Sequence, residues 1–146
     1  MELNFYHVAT GNLVPSVVKL LAKVYDSGKK SIFFSPIEDR VKYVDKTLWT
    51  FSTNAFIPHG DKAFGFAEQQ SVYMTSEIEN PNQATVLVMT DSFDYGSWNQ
   101  NFEKVIFVFE DDSSAKTAQE MLADLKNRNE NVNYWKQSQK GWEKLN

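Results

Sequence analysis

The side chains best equipped for chemistry are few and fall into small groups. Asp91 and Asp94 follow one apolar segment, Thr85 to Thr90, and Glu110-Asp111-Asp112 follow another, Val105 to Phe109. Paired carboxylates can act as general acid and base, and magnesium takes carboxylate oxygens. Either role needs partners, and this chain supplies few. It has no Cys and only two His, His7 and His59, far apart in sequence. Thiolate zinc sites, iron–sulfur clusters and cysteine nucleophiles are excluded, and no recognisable Ser or Cys pattern accompanies His59. The plainer reading makes Asp91 and Asp94 turn and capping residues. It makes Glu110-Asp111-Asp112 a solvated helix start, where the macrodipole favours negative charge.

Phosphate chemistry fares no better. Gly28-Lys29-Lys30-Ser31 has the composition of a phosphate loop's end, but it closes a helix and opens a strand, the reverse of the required order. The first strand–helix turn has Gly11 alone and lacks the G-x-G-x-x-G pattern that lets backbone approach a pyrophosphate.

Aromatics are the distinctive resource, at 14% of 146 residues. Leu48 to Gly60 (LWTFSTNAFIPHG) crowds Trp49, Phe51, Phe56, Ile57 and Pro58 into a stretch with loop character. Such groups either pack under the loop or anchor a partner. Near the end, Tyr134-Trp135-Lys136-Gln137 and Gly141-Trp142-Glu143-Lys144 interleave aromatics with Lys. That pattern suits either docking of the C-terminal segment on the domain or stacking of single-stranded nucleic acid on Trp135 and Trp142.

The elements that must position these residues follow from periodicity. Leu3 to Val8, Ser31 to Ser35, Val72 to Thr75, Thr85 to Thr90, Val105 to Phe109 and Asn131 to Trp135 read as strands. Val14, Val17, Val18, Leu21, Val24 and Tyr25 fall at helical spacing, with Pro15 in the first turn and Gly28 as the stop. Pro36 opens a second helix, buried along Ile37, Val41, Val44 and Leu48. Asp111-Asp112-Ser113 caps a third, with Ala115, Ala118, Leu122 and Leu125 on one face. Glu79-Asn80-Pro81-Asn82 is turn-rich. Short, fully apolar strands alternating with helices predict a single-domain three-layer α/β/α fold over residues 1–146 with a mostly parallel sheet. It should look like a nucleotide-binding fold without a phosphate-binding loop. Residues 136–146 are expected to form a polar tail.

Charge is unevenly spread around a net −4: residues 68–125 hold 11 acidic and 2 basic groups, and residues 126–146 hold 5 basic and 2 acidic. Duplex binding needs Lys and Arg in number, so it is disfavoured, whereas a local basic site for an acidic peptide fits. No apolar run approaches the roughly 20 residues of a membrane span and no signal peptide is visible, so the expected location is the cytoplasm.

At these same segments the sequence resembles a known family, the chi subunit of bacterial DNA polymerase III. Phe5-Tyr6-His7, Leu48-Trp49, Phe56-Ile57-Pro58-His59-Gly60 and Thr75 through Asn80-Pro81-Asn82 match its pattern in order. Tyr134-Trp135-Lys136-Gln137 and Gly141-Trp142-Glu143-Lys144 are similar to the alphaproteobacterial branch. The resemblance implies an α/β domain without catalysis, cofactor or metal, acting as a clamp-loader-associated adaptor in DNA replication. It implies a psi subunit, or a helicase on the same face, as partner at Trp49, Phe56, Ile57 and Pro58. It also implies binding of the acidic C-terminal tail of single-strand DNA-binding protein, with DNA reached only indirectly. Two positions where the family carries basic residues for that tail are Gln119 and Ala123 here. Lys126 and Arg128 are the nearest cations, with Lys136 in support; either they substitute or the activity is weak or absent.

Two alternatives from other classes remain. One is a nucleotide- or magnesium-dependent enzyme using Asp91, Asp94 or Glu110 in a degenerate cleft. The other is a direct single-strand binder through Trp135 and Trp142.

Overall fold

Val105-Ile106-Phe107-Val108-Phe109 is apolar at every position because both of its faces are covered, and all five side chains are buried. It belongs to a central strand of an eight-stranded sheet, seen in a computed structural model. The structure describes residues 1–51, 57–62, 65–98, 102–128 and 130–146.

The strands are β1 (Glu2–His7), β2 (Ser31–Phe34), β3 (His59–Gly60), β4 (Val72–Thr75), β5 (Val86–Thr90), β6 (Lys104–Phe109), β7 (Asn131–Ser138) and β8 (Gly141–Lys144). Their order is β3-β4-β2-β5-β6-β1-β7-β8. Every pairing is parallel except that of β7 with β8. The helices are α1 (Leu13–Asp26), α2 (Glu38–Thr50) and α3 (Asp112–Asn127).

Side chains alternate across the sheet because successive Cβ atoms point to opposite faces. On one face Ile106, Val108, Val86, Val88 and Phe33 meet Val17, Val18 and Leu21 of α1 and Val41, Val44 and Leu48 of α2. On the other, Leu3, Phe5, Leu87, Val105 and Phe107 meet Ala115, Ala118 and Leu125 of α3. These are the three layers the alternating pattern predicts.

The α3 face is filled in a second way. The described residues between β5 and β6 form no helix, and instead lay Phe93, Tyr95, Trp98 and Phe102 over the sheet. Phe107 packs 5.0 Å from Phe5 and 5.3 Å from Phe93 between ring centroids. Much of the aromatic excess is therefore core. The turn at Asn80 to Ala84 is held by its own amides: Asn80 Oδ1 accepts from the Ala84 N–H, and the buried Asn82 amide donates to the carbonyls of Ser31 and Gln70.

Two expectations are corrected. Residues 136–146 are not a tail: β7 continues to Ser138 and returns as β8, an antiparallel hairpin pairing Gln137 with Trp142. Asn146 closes it, accepting from the Tyr134 N–H and donating to the Val132 carbonyl. Ile37 is not in the buried stripe of α2. It is the exposed residue before the first turn, in extended backbone (φ −95°, ψ 107°), so the helical spacing that would bury it has not begun.

Candidate functional site

In an open α/β sheet, ligands bind beyond the carboxyl ends of the strands, where neighbouring connections diverge. Here that point lies between β1 and β6, whose chains leave toward α1 and α3 on opposite faces. A phosphate would meet the backbone N–H groups of the β1–α1 turn there. Three of them, those of Ala9, Gly11 and Asn12, are taken. Glu110 Oε2 accepts from the Gly11 N–H at 3.0 Å, so a carboxylate stands where an anion would sit. Gln137 Oε1 accepts from the Ala9 N–H at 3.0 Å and from the Asn12 side chain at 3.1 Å.

The other carboxylates are equally committed. Asp91 accepts from Ser35, Thr90 and Arg40, the last at 3.2 Å. Burial pushes the Asp91 carboxyl up, but the hydrogen bonds from Arg40, Thr90 and Ser35 outweigh it and hold the group below the usual carboxylate range. Asp94 accepts from Ser97, and Asp111 caps α3 by accepting from the Ser114 N–H at 2.9 Å. Among the described residues no group of three or more His, Asp or Glu is placed to hold a metal.

The Trp49 segment lies at the β3 edge of the sheet. Trp49 leaves the last turn of α2 and is 42% exposed, and Phe51 beside it is also exposed. Its ring rests on that of His59, with centroids 4.5 Å apart. His59 is buried, with Nδ1 2.6 Å from the Ile57 carbonyl oxygen and Nε2 3.3 Å from Asp45 Oδ1. Ile57 packs into the core with Val44 and Leu48. Pro58 is half-buried, and its carbonyl accepts from the Ser71 and Val72 N–H groups. Phe56 lies outside the described residues. Of the three expected anchors among the described residues, Trp49 is exposed, Pro58 half-buried and Ile57 buried. Phe66, between β3 and β4, is 73% exposed.

The proposed cations do not converge. Arg128 follows the end of α3 and pairs with Asp124 at 3.0 Å, while Lys126 is exposed in its last turn. Lys136 stands five positions along β7 from Asn131, about 16 Å at the rise of a strand. It therefore sits toward the opposite end of the sheet. Gln119 and Ala123 are exposed on α3.

Comparison with known proteins decides the family. The family model described as DNA polymerase III chi subunit, HolC, matches residues 1–133. The chain belongs to the DNA polymerase III chi family. A similar protein, from Rickettsia prowazekii (strain Madrid E), is named "Probable DNA polymerase III subunit chi". It is 33% identical over 93 residues, 64% of this chain and 56% of the relative's length. The matched stretch thus spans little more than half of that relative.

One feature of this chi-family chain escapes sequence reading. Trp135, Trp142 and Gln137 of the hairpin, Tyr6 of β1, and Ser16, Lys19, Leu20 and Lys23 of α1 line a cleft of about 310 Å³. The interleaved aromatics flagged the hairpin. Nothing flagged α1, more than a hundred positions away, because Lys19 and Lys23 look like ordinary solvated helix residues. A second cleft, about 370 Å³, lies where α2 begins and β4 ends. It mixes Lys42 and Lys62 with Glu38, Asp61, Glu77 and Glu79. Among the described residues no helix is long and apolar enough to cross a membrane.

Proposed function

We propose that this chi-family chain is a non-catalytic accessory subunit of the DNA polymerase III holoenzyme. It is an adaptor that joins the clamp-loader part of the replicase to single-strand DNA-binding protein. Trp49, Phe56 and Pro58 face the psi subunit, or a helicase occupying the same face, while Ile57 of the same run is buried in the core. Lys126 and Arg128, without Lys136, which stands about 16 Å along β7 from that end, receive the acidic tail of single-strand DNA-binding protein, and DNA is reached only through that protein. The observation that carries the reading is Trp49, an exposed indole seated on a buried histidine at the sheet edge. A large, rigid side chain of this kind anchors a partner at small entropic cost. The non-catalytic part is supported by the Glu110 carboxylate at the Gly11 N–H, where a nucleotide phosphate would bind.

Copurification with the organism's own psi subunit or helicase tests the reading. Trp49→Ala should weaken capture at least about tenfold with little change in melting temperature, as expected when an exposed anchor is truncated. Unchanged capture would overturn the assignment of this face. Calorimetric titration with ATP and magnesium should show no saturable binding, and micromolar binding would restore the enzyme alternative.

A further inference from the structure

Phe66 is the most exposed large apolar side chain among the described residues, and its backbone is left-handed (φ 55°, ψ 36°). That region crowds the Cβ of an L residue against the following carbonyl oxygen, so bulky side chains rarely enter it. Two other described non-glycine residues share it, Gln83 and Asp91. Asp91 gains in return, because its carboxylate accepts from Ser35, Thr90 and Arg40. Phe66 has no polar side-chain atom and little burial to set against the cost.

The surroundings impose this conformation. Gly65 before it is also left-handed (φ 87°), and the Gly65 carbonyl accepts from the Gln70 side chain at 3.2 Å. The Phe66 carbonyl accepts from the Gln69 N–H at 2.9 Å. Gln70 is buried, and its own carbonyl accepts from the Asn82 amide at 2.9 Å. Strain that a fold over-determines in this way collects at binding sites.

The same loop ties Phe66 to the edge that carries Trp49. Ser71, next to Gln70, donates its N–H to the Pro58 carbonyl at 3.0 Å, and His59 beside Pro58 supports the Trp49 ring. β3 is the last strand on that side of the sheet. Trp49 follows Leu48, which belongs to the core on the α2 face. Ala67, next to Phe66, packs on the other core, the one that contains Tyr73. Trp49 and Phe66 therefore flank the β3 edge, one from each face.

We propose that Phe66 is a second anchor for the psi subunit, which straddles the β3 edge and covers Trp49 and Phe66 together. The inference rests on the Trp49 reading and adds to it a residue outside the Leu48–Gly60 run. A left-handed backbone fixes the direction in which the ring leaves the loop, so docking on it costs little ordering entropy. Burial of the ring in the complex supplies what the free chain lacks.

Dissociation constants of purified psi subunit for the full chain and its variants test this. Asn enters the left-handed region readily, so Phe66→Asn relieves the backbone while removing the ring. It should weaken binding at least about fivefold, as truncation of an anchor does. Its melting temperature should hold to within about 2 °C or rise. Phe66→Tyr, which keeps the ring, should bind like the native chain. Lost binding with undiminished stability is a pairing that a packing residue cannot give. Unchanged binding of Phe66→Asn would overturn the proposal, and if Trp49→Ala still weakens binding the Trp49 reading survives. A fall of more than about 2 °C in the Phe66→Asn melting temperature would also overturn it, because the ring would then belong to the core. Loss with Phe66→Asn but not with Trp49→Ala would end the shared face. Failure of the native chain to bind psi would overturn the proposal, and the Trp49 reading with it unless a helicase takes the place of psi at Trp49.

Discussion

His59 Nδ1 lies 2.6 Å from the Ile57 carbonyl oxygen, and Nε2 lies 3.3 Å from Asp45 Oδ1, close enough for an ion pair but not aligned as a hydrogen bond. A neutral imidazole can donate from Nδ1 to the Ile57 carbonyl, and protonating Nε2 as well sets a positive charge beside the Asp45 carboxylate. Burial pushes the His59 pKa down, but the nearby Asp45 carboxylate, with the Ile57 carbonyl, outweighs it and raises the pKa above the ordinary 6.5. A group with a higher pKa in the folded state takes up a proton on folding. Its contribution is complete below the unfolded pKa and disappears as pH rises through the folded one. The melting temperature should therefore fall as pH rises from about 6 to about 8, the range in which histidine titrates. Asp45→Asn should flatten that slope, measured by circular dichroism. An unchanged slope would remove His59 from the role. Because the Trp49 ring rests on this imidazole, the same proton steadies the proposed anchor.

At the scale of elements, α3 starts with a full cap: Asp111 accepts from the Ser114 N–H, and Ser114 in turn holds the Asp111 carboxyl below its usual range. Asp111→Ala should cost about 1 kcal/mol, read from denaturant melts, as loss of an N-cap does. This cap was legible in the sequence, as were the apolar strands and the Val14–Leu21 and Val41–Leu48 stripes, because each is a local pattern with one period. Ile37 misled because an apolar side chain in register with a helix need not belong to it. The hairpin was missed because β8 is exposed at all four positions and so carries no alternation to read. Phe93 and Tyr95 gave no signal either, since a loop that covers a sheet has no period. The Glu110–Gly11 contact joins residues 99 positions apart and depends on topology alone. For the same reason the site was only half visible: composition exposed the aromatics, but the sheet order decides which of them share a face.

For the whole molecule, the two cores differ in kind. The α1–α2 side is aliphatic helix packing, whereas the α3 side depends on rings supplied partly by a loop. Phe107, fully buried among Phe5, Phe93 and Tyr95, is the centre of the second. Phe107→Ala should cost about 3–5 kcal/mol in denaturant melts, a large share of a domain's stability. A loss below about 1 kcal/mol would mean that the rings over β6 repack freely. The strand order also has a consequence in time. β1 is made before the other described strands, yet its two neighbours are β6 and β7, made roughly a hundred residues later. Until then its apolar faces and backbone have no permanent company, and parallel pairing at such separation is slow. The nascent chain thus carries an unclosed sheet through most of its synthesis. A stall anywhere before β6 would leave the hydrophobic Leu3–Phe5 stretch for a chaperone to shield.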